Sequence, residues 1–170
     1  YSSATLERDI LFKGERFCVY RRLDSQFDVP VVIKTVVDRK AVTRLRRRLN
    51  VEYAICQELA DSGARRALGW ATVDGEPALV LEYVEGMTFR QAFVASPKPL
   101  GDVFKAMLGV MKALRALHQH NIIHGAITSD NILWDPTTGA VHFIDFTAAC
   151  HVSASYPYAP QDACLDGDLR

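Results

Sequence analysis

His124-Gly125-Ala126-Ile127-Thr128-Ser129-Asp130-Asn131, with Val141-His142-Phe143-Ile144-Asp145-Phe146-Thr147 downstream, is the stretch on which the fold turns. Asn131 and Asp145 carry hard oxygen donors suited to Mg²⁺. Alone, Asn131 reads as a turn residue and Asp145 as a strand cap. Taken with His124 at this spacing, they read as parts of one site. Position 126, between them, holds only a methyl group.

The two short strands Ile132-Leu133-Trp134 and Val141 to Ile144 bracket the turn Asp135-Pro136-Thr137-Thr138-Gly139. Upstream, Asp102 is placed to cap a helix that carries Val103, Met107, Met111, Leu114 and His118 on one face, with Phe104 and Leu108 beside it. Met107 and Met111 are expected in the core. Ser96-Pro97-Lys98-Pro99 is a connector. The first part of the chain is strand-like. Arg16 to Arg21 alternates, and Pro30 to Val37 is a β-branched run. Asp24 to Asp28 reads as the loop between them. A helix is expected over Ala41 to Ala60, with Leu45, Leu49, Ile55 and Leu59 at helical spacing. Trp70 to Val73 and Ala78 to Leu81 flank Asp74-Gly75, a hairpin signal.

Bulk properties exclude several classes. The 170 residues are 49% hydrophobic, enough for a substantial core, and 24% charged, too few for disorder. Lys+Arg and Asp+Glu are both 20, which argues against a general nucleic-acid or membrane-surface binder. Arg44-Leu45-Arg46-Arg47-Arg48 reads as a solvated helix face. Cys18, Cys56, Cys150 and Cys164 are scattered, without a C-x-x-C pair, so a reducing, cytoplasmic setting is expected. No apolar run is long enough to span a bilayer, and no signal peptide is visible. With Tyr1 at one end and Arg170 at the other, the chain is expected to be a piece of a longer protein.

These segments together resemble the protein-kinase-like superfamily, whose pattern is H-R-D-L-x-x-x-N followed by D-F-G. Val32-Ile33-Lys34 sits where V-A-I-K sits in that pattern. Alone, a lysine ending an apolar strand is usually solvent-facing. In this setting the resemblance implies that Lys34 neutralises α- and β-phosphate charge, with Glu52 as its partner and Glu58 as the alternative. Leu79 to Gly86 matches the hinge that binds adenine. Tyr158-Ala159-Pro160-Gln161 looks like A-P-E with glutamine for glutamate. More narrowly, Asn121 to His124 and the turn before Ile144-Asp145-Phe146 make the chain similar to the N-terminal kinase-like domain of large multidomain sensor histidine kinases.

The fold implied is α+β and two-lobed: a small β-rich N-lobe over 1–86 and a truncated helical C-lobe over 87–170. The cofactors implied are ATP and Mg²⁺. Gly14, Val19, Lys34, Glu52, Glu82, Val84 and Leu133 are the implied nucleotide contacts, and Asn131 and Asp145 the metal ligands.

Departures from the pattern carry equal weight. Of the loop G-x-G-x-x-G-x-V, only Gly14 survives in Phe12 to Val19, and Phe12 and Phe17 impede close approach to phosphate. Thr147 replaces the D-F-G glycine, where a β-branched residue resists positive φ and limits loop rearrangement, and Thr128 replaces the family's phosphate-contacting lysine. Ala126 stands where the catalytic aspartate belongs. Loss of a general base costs about 10²–10⁴-fold. Asp130 is the stand-in base to consider, although its neighbour Asn131 points to another orientation.

The expected function is an ATP-binding, regulatory pseudokinase domain that works with downstream domains of its own polypeptide. The alternatives are an active Ser/Thr-type kinase with an atypical base, a small-molecule phosphotransferase suggested by His124-Gly125, and a nucleotide-free interaction module.

Overall fold

A computed structural model describes residues 9–24, 29–62, 64–95, 97–153 and 156–160. The chain divides into two compact units, residues 1–47 with 67–83, and residues 48–66 with 84–170. The expected boundary at 86/87 lies close to one of these divisions, and residues 48–66 group with the second unit.

The first unit is an antiparallel sheet. β1 (Asp9–Lys13), β2 (Phe17–Asp24), β3 (Val29–Val36), β4 (Ala67–Val73) and β5 (Glu76–Glu82) lie in the order β1-β2-β3-β5-β4. Val31, Val32 and Ile33 are all buried, as a central strand of β-branched residues should be. Tyr20, Val31, Ile33, Ala78 and Val80 form one core cluster, with Cys18, Leu68, Ala71 and Val73 packed on it. Asp74 (φ 51°) and Gly75 (φ 81°) both take left-handed backbone, the requirement of the tight hairpin turn their dipeptide signals. Residues 25–28, most of the expected loop after Asp24, lie outside the described residues.

α1 (Val42–Glu58) buries Leu45, Leu49 and Ile55, and Leu59 just beyond it, as their spacing requires. A 3₁₀ turn, Ala60–Ser62, ends it slightly before the expected Ala60.

In the second unit, β6 (Met87–Thr88) pairs with β8 (Ile132–Trp134), and β8 with β9 (Val141–Phe143). β7 (Ile122–Ile123), β10 (Cys150–Ser153) and β11 (Tyr156–Pro160) form another sheet in the order β11-β10-β7. Tyr158 to Pro160 of the A-P-E-like segment fall in β11, whereas Gln161 and Cys164 lie outside the described residues. Asp135 closes the β8–β9 turn by accepting from the Thr137 N–H (2.8 Å) and the Thr138 hydroxyl (2.6 Å). Those bonds hold its carboxyl below the usual carboxylate range.

α2 (Leu100–Gln119) corrects two expectations. Its N-cap is Pro99, not Asp102, which lies in the first turn. Proline's fixed φ suits helix entry, and a carboxylate in the first turn still meets the positive end of the dipole. The buried face is also rotated. Ala106 and Leu117 are buried, whereas Phe104, Met107, Leu108 and Met111 are 62%, 48%, 56% and 64% exposed. Small residues set the contact. Ala106 packs with Ala92 and Trp134, and Gly109 lies so near Val141 that a Cβ there would come within 2.5 Å of it. Hydropathy favours the large apolar side chains, while close helix–strand approach favours the small ones.

Candidate functional site

The sheet unit carries the lysine. Lys34 pairs across β2 with Val19 and across β5 with Leu79, and is only 4% exposed. The Phe17 ring centroid lies 5.0 Å from Lys34 Nζ, a cation–π distance. Phe17 is thus stacked on the cation at the start of the strand that follows the Gly14 turn. That turn closes through Gly14 N–H to Phe17 carbonyl (3.0 Å), and the Phe12 ring lies 2.8 Å from where a Cβ on Gly14 would sit. At the far end of β5, Arg21 lies over the Tyr83 ring and pairs with Asp9 at 2.7 Å. The Asp9 carboxylate is the main reason the Arg21 pKa is raised.

The second unit carries the loop and the strand end. His124 is 1% exposed and lies against Phe143 and Phe146. Its Nε2 is 3.1 Å from the Ile144 carbonyl, and its Nδ1 is 3.3 Å from the Ala126 N–H. A carbonyl only accepts and an amide N–H only donates, so the ring is held as the Nε2–H tautomer. His124 is a brace. The Asn131 amide donates from Nδ2 to the Ala126 carbonyl (2.9 Å), which fixes Asn131 and turns its Oδ1 away from that bond. The Ile144 N–H donates to the Asn131 carbonyl at 3.0 Å, tying the loop to the residue before Asp145.

Asp145 has φ 63° and ψ 73°, a left-handed conformation uncommon for a side-chain-bearing residue. Its Oδ1 accepts from the Thr147 hydroxyl (2.6 Å) and the Thr147 N–H (3.4 Å). Thr147, expected only to stiffen this segment, therefore holds the carboxylate. Phe146 is fully buried and donates its N–H to Glu52 Oε1 at 3.3 Å. Arg48 reaches the Thr147 carbonyl at 3.4 Å. Glu58 is engaged elsewhere, 2.8 Å from His151 Nε2 and 3.9 Å from His120 Nδ1.

Two further features escaped the sequence. Gly125 has φ 75°, and a Cβ there would lie 2.2 Å from the Ala148 carbonyl oxygen. The arginine of H-R-D has no room in this backbone. Arg90, in a π-helical turn (Arg90–Val94), donates Nε to both oxygens of Asp130, at 2.7 and 2.9 Å. That bond lowers the Asp130 pKa. A carboxylate so held is a poor proton acceptor. Only the coincidence of a glycine at 125 with an alanine at 126 hinted at the first feature. Nothing local signals the second, whose partners are 40 residues apart.

A lysine on the central strand, a buried helix glutamate under D-F-x, and a histidine-braced loop ending in asparagine are the parts of a kinase catalytic domain. The protein kinase domain pattern matches residues 7–166, and the chain belongs to that family. It is 27% identical over 157 residues to human mitogen-activated protein kinase kinase kinase 6, covering 90% of this chain and 12% of the relative. It is 28% identical over 149 residues to serine/threonine-protein kinase C of Synechocystis, covering 86% and 26%. It is 29% identical over 144 residues to the kinase and exchange factor for Rac A of Dictyostelium discoideum, covering 82% and 10%. The chain thus spans from about a tenth to a quarter of the length of these relatives. The fold is the α+β kinase fold, with a sheet-rich unit and a helical one.

Proposed function

We propose that this is a regulatory kinase domain that binds Mg²⁺·ATP and transfers its phosphate poorly, acting within a larger signalling protein. The carrying observation is the loop at position 126. The backbone there is fully used, its N–H on His124 and its carbonyl on Asn131, and its side chain is a methyl. The carboxylate in the same loop, Asp130, is held by Arg90.

The residues present fit the nucleotide and its metal. Asn131 keeps its carbonyl oxygen clear of its own amide bond, and Asp145 is locked in one conformation by Thr147. These oxygen donors suit Mg²⁺, which would offset the charge of the β- and γ-phosphates. Lys34 is assigned to the α- and β-phosphates. Gly14, Val19, Glu82, Val84 and Leu133 are assigned to the rest of the nucleotide. Phe17, stacked on Lys34, weakens the phosphate grip without removing the cation.

The likeness of Asn121 to His124 and of the Asp135–Gly139 turn to the kinase-like domain of multidomain sensor histidine kinases supports downstream domains as the partners. The scatter of Cys18, Cys56, Cys150 and Cys164 along the chain, without a C-x-x-C pair, supports a cytoplasmic setting. Among the described residues no helix is long and apolar enough to cross a membrane.

Thermal unfolding with ATP, with and without Mg²⁺, tests the reading. Stabilisation that requires Mg²⁺ and is lost in Asp145→Asn is expected. No shift at saturating nucleotide would leave an interaction module as the better reading.

A further inference from the structure

The second unit contains a groove of about 570 Å³, within the usual size range of small-ligand sites. Its floor is apolar, built from Leu59, Leu117, Val141 and Phe143. One wall is the α2 face that carries Ala113 and Ala116, where small side chains leave the space open, while Gly109 lies against Val141. Lys105 and Lys112, two turns apart on α2, flank this wall, and among the described residues no acidic side chain lines the groove. Lys105 has a loose contact with Asp102 at 3.7 Å. Lys112 has no hydrogen-bond or ion-pair partner among the described residues. The hydroxyls at the edge are already committed, Ser62 to His120 and Thr138 to Asp135. An uncharged polar ligand therefore finds little to bind, whereas an apolar chain with one negative end matches both floor and rim.

We propose that this groove binds an amphipathic anion of the medium-chain aliphatic carboxylate class, with the chain on the Leu59–Phe143 floor and the carboxylate at Lys112 and Lys105. Lysine ammonium groups, as compact point charges, suit a single carboxylate, whereas a phosphate-specific site favours the arginine fork. The site is independent of the nucleotide reading. Phe146, itself closed to solvent, lies beneath the groove.

The test is isothermal titration of the chain with octanoate, octylamine and acetate at neutral pH, each below its aggregation limit. Octanoate is expected to bind, and octylamine and acetate are not. Lys112→Glu should weaken octanoate by about fivefold, as an exposed charge contact would. Ala113→Leu, which fills the wall, should weaken it by about tenfold or more. Lys112 is exposed, so Lys112→Glu remains informative if the leucine variant fails to fold. Failure of octanoate to bind, equal binding of octylamine, or octanoate binding unchanged in folded Ala113→Leu would each overturn the proposal. So would an acidic, leucine-containing peptide that occupies the groove and is not displaced by octanoate.

Discussion

The loop His124–Asn131 and the segment Asp145–Ala148 are bonded to each other through Ile144 and His124, yet their departures from the family pattern have opposite physical effects. In the loop the change subtracts. Ala126 removes a proton acceptor, and Gly125 leaves a space that the Ala148 carbonyl fills. In the segment the change adds. Thr147 supplies a hydroxyl that a glycine lacks, and that hydroxyl fixes the carboxylate of Asp145. One region lacks a group that the family pattern carries while its neighbour has gained a hydrogen bond, so a tally of lost motif residues misjudges both.

The contrast breaks most visibly at Gly125. Gly125→Arg, which rebuilds the first half of H-R-D, must adopt a left-handed backbone and displace the Ala148 carbonyl. The expected loss is roughly 3 kcal/mol of stability, read as a lower urea midpoint. An unchanged midpoint would mean that the two segments are not packed as described. Next comes Thr147→Val, nearly isosteric but without the hydroxyl. It should cost about 1 kcal/mol and remove most of the Mg²⁺-dependent stabilisation by ATP, while Thr147→Ser retains both. If valine behaves like serine, the hydroxyl does not position Asp145.

Ala126→Asp sharpens the comparison from the other side. It restores the carboxylate alone, with Thr128 still in place of the lysine and Phe17 still on Lys34. Labelled phosphate transfer should rise by less than about tenfold, against the 10²–10⁴ a working general base supplies. A gain in that full range would show the loop to be one residue from activity. The smallest effect is at Arg90. The Asp130 pKa is lowered, so the pair's contribution is complete at neutral pH and is lost as pH falls through that lowered value. In Arg90→Ala the Asp130 carboxyl, followed by NMR, should titrate higher, in the ordinary aspartate range. An unchanged titration would free Asp130 for other roles.

Local chemistry made much of this legible. Asp74-Gly75 dictated its turn, and Asp135 with Gly139 closed another. The Leu45, Leu49, Ile55 and Leu59 spacing located the buried face of α1, and His124, Asn131 and Asp145 stood out by type and interval. What stayed hidden depends on through-space packing. The burial of α2 follows Ala106 and Gly109, whose small size carries no hydropathy signal. Arg90 meets Asp130 only after folding. Thr147 read as a steric defect because its hydroxyl has meaning only once Asp145 is left-handed.

We propose that the nucleotide anchors persist where the proton acceptor is gone. Equilibrium dialysis against Mg²⁺ and ATP labelled at the γ-phosphate tests both halves at once. The expected result is label retained by the protein and recovered as intact ATP, with Asp145→Asn retaining none. Label recovered on protein or as free phosphate at the rate of an active kinase, or no label retained at all, would contradict it.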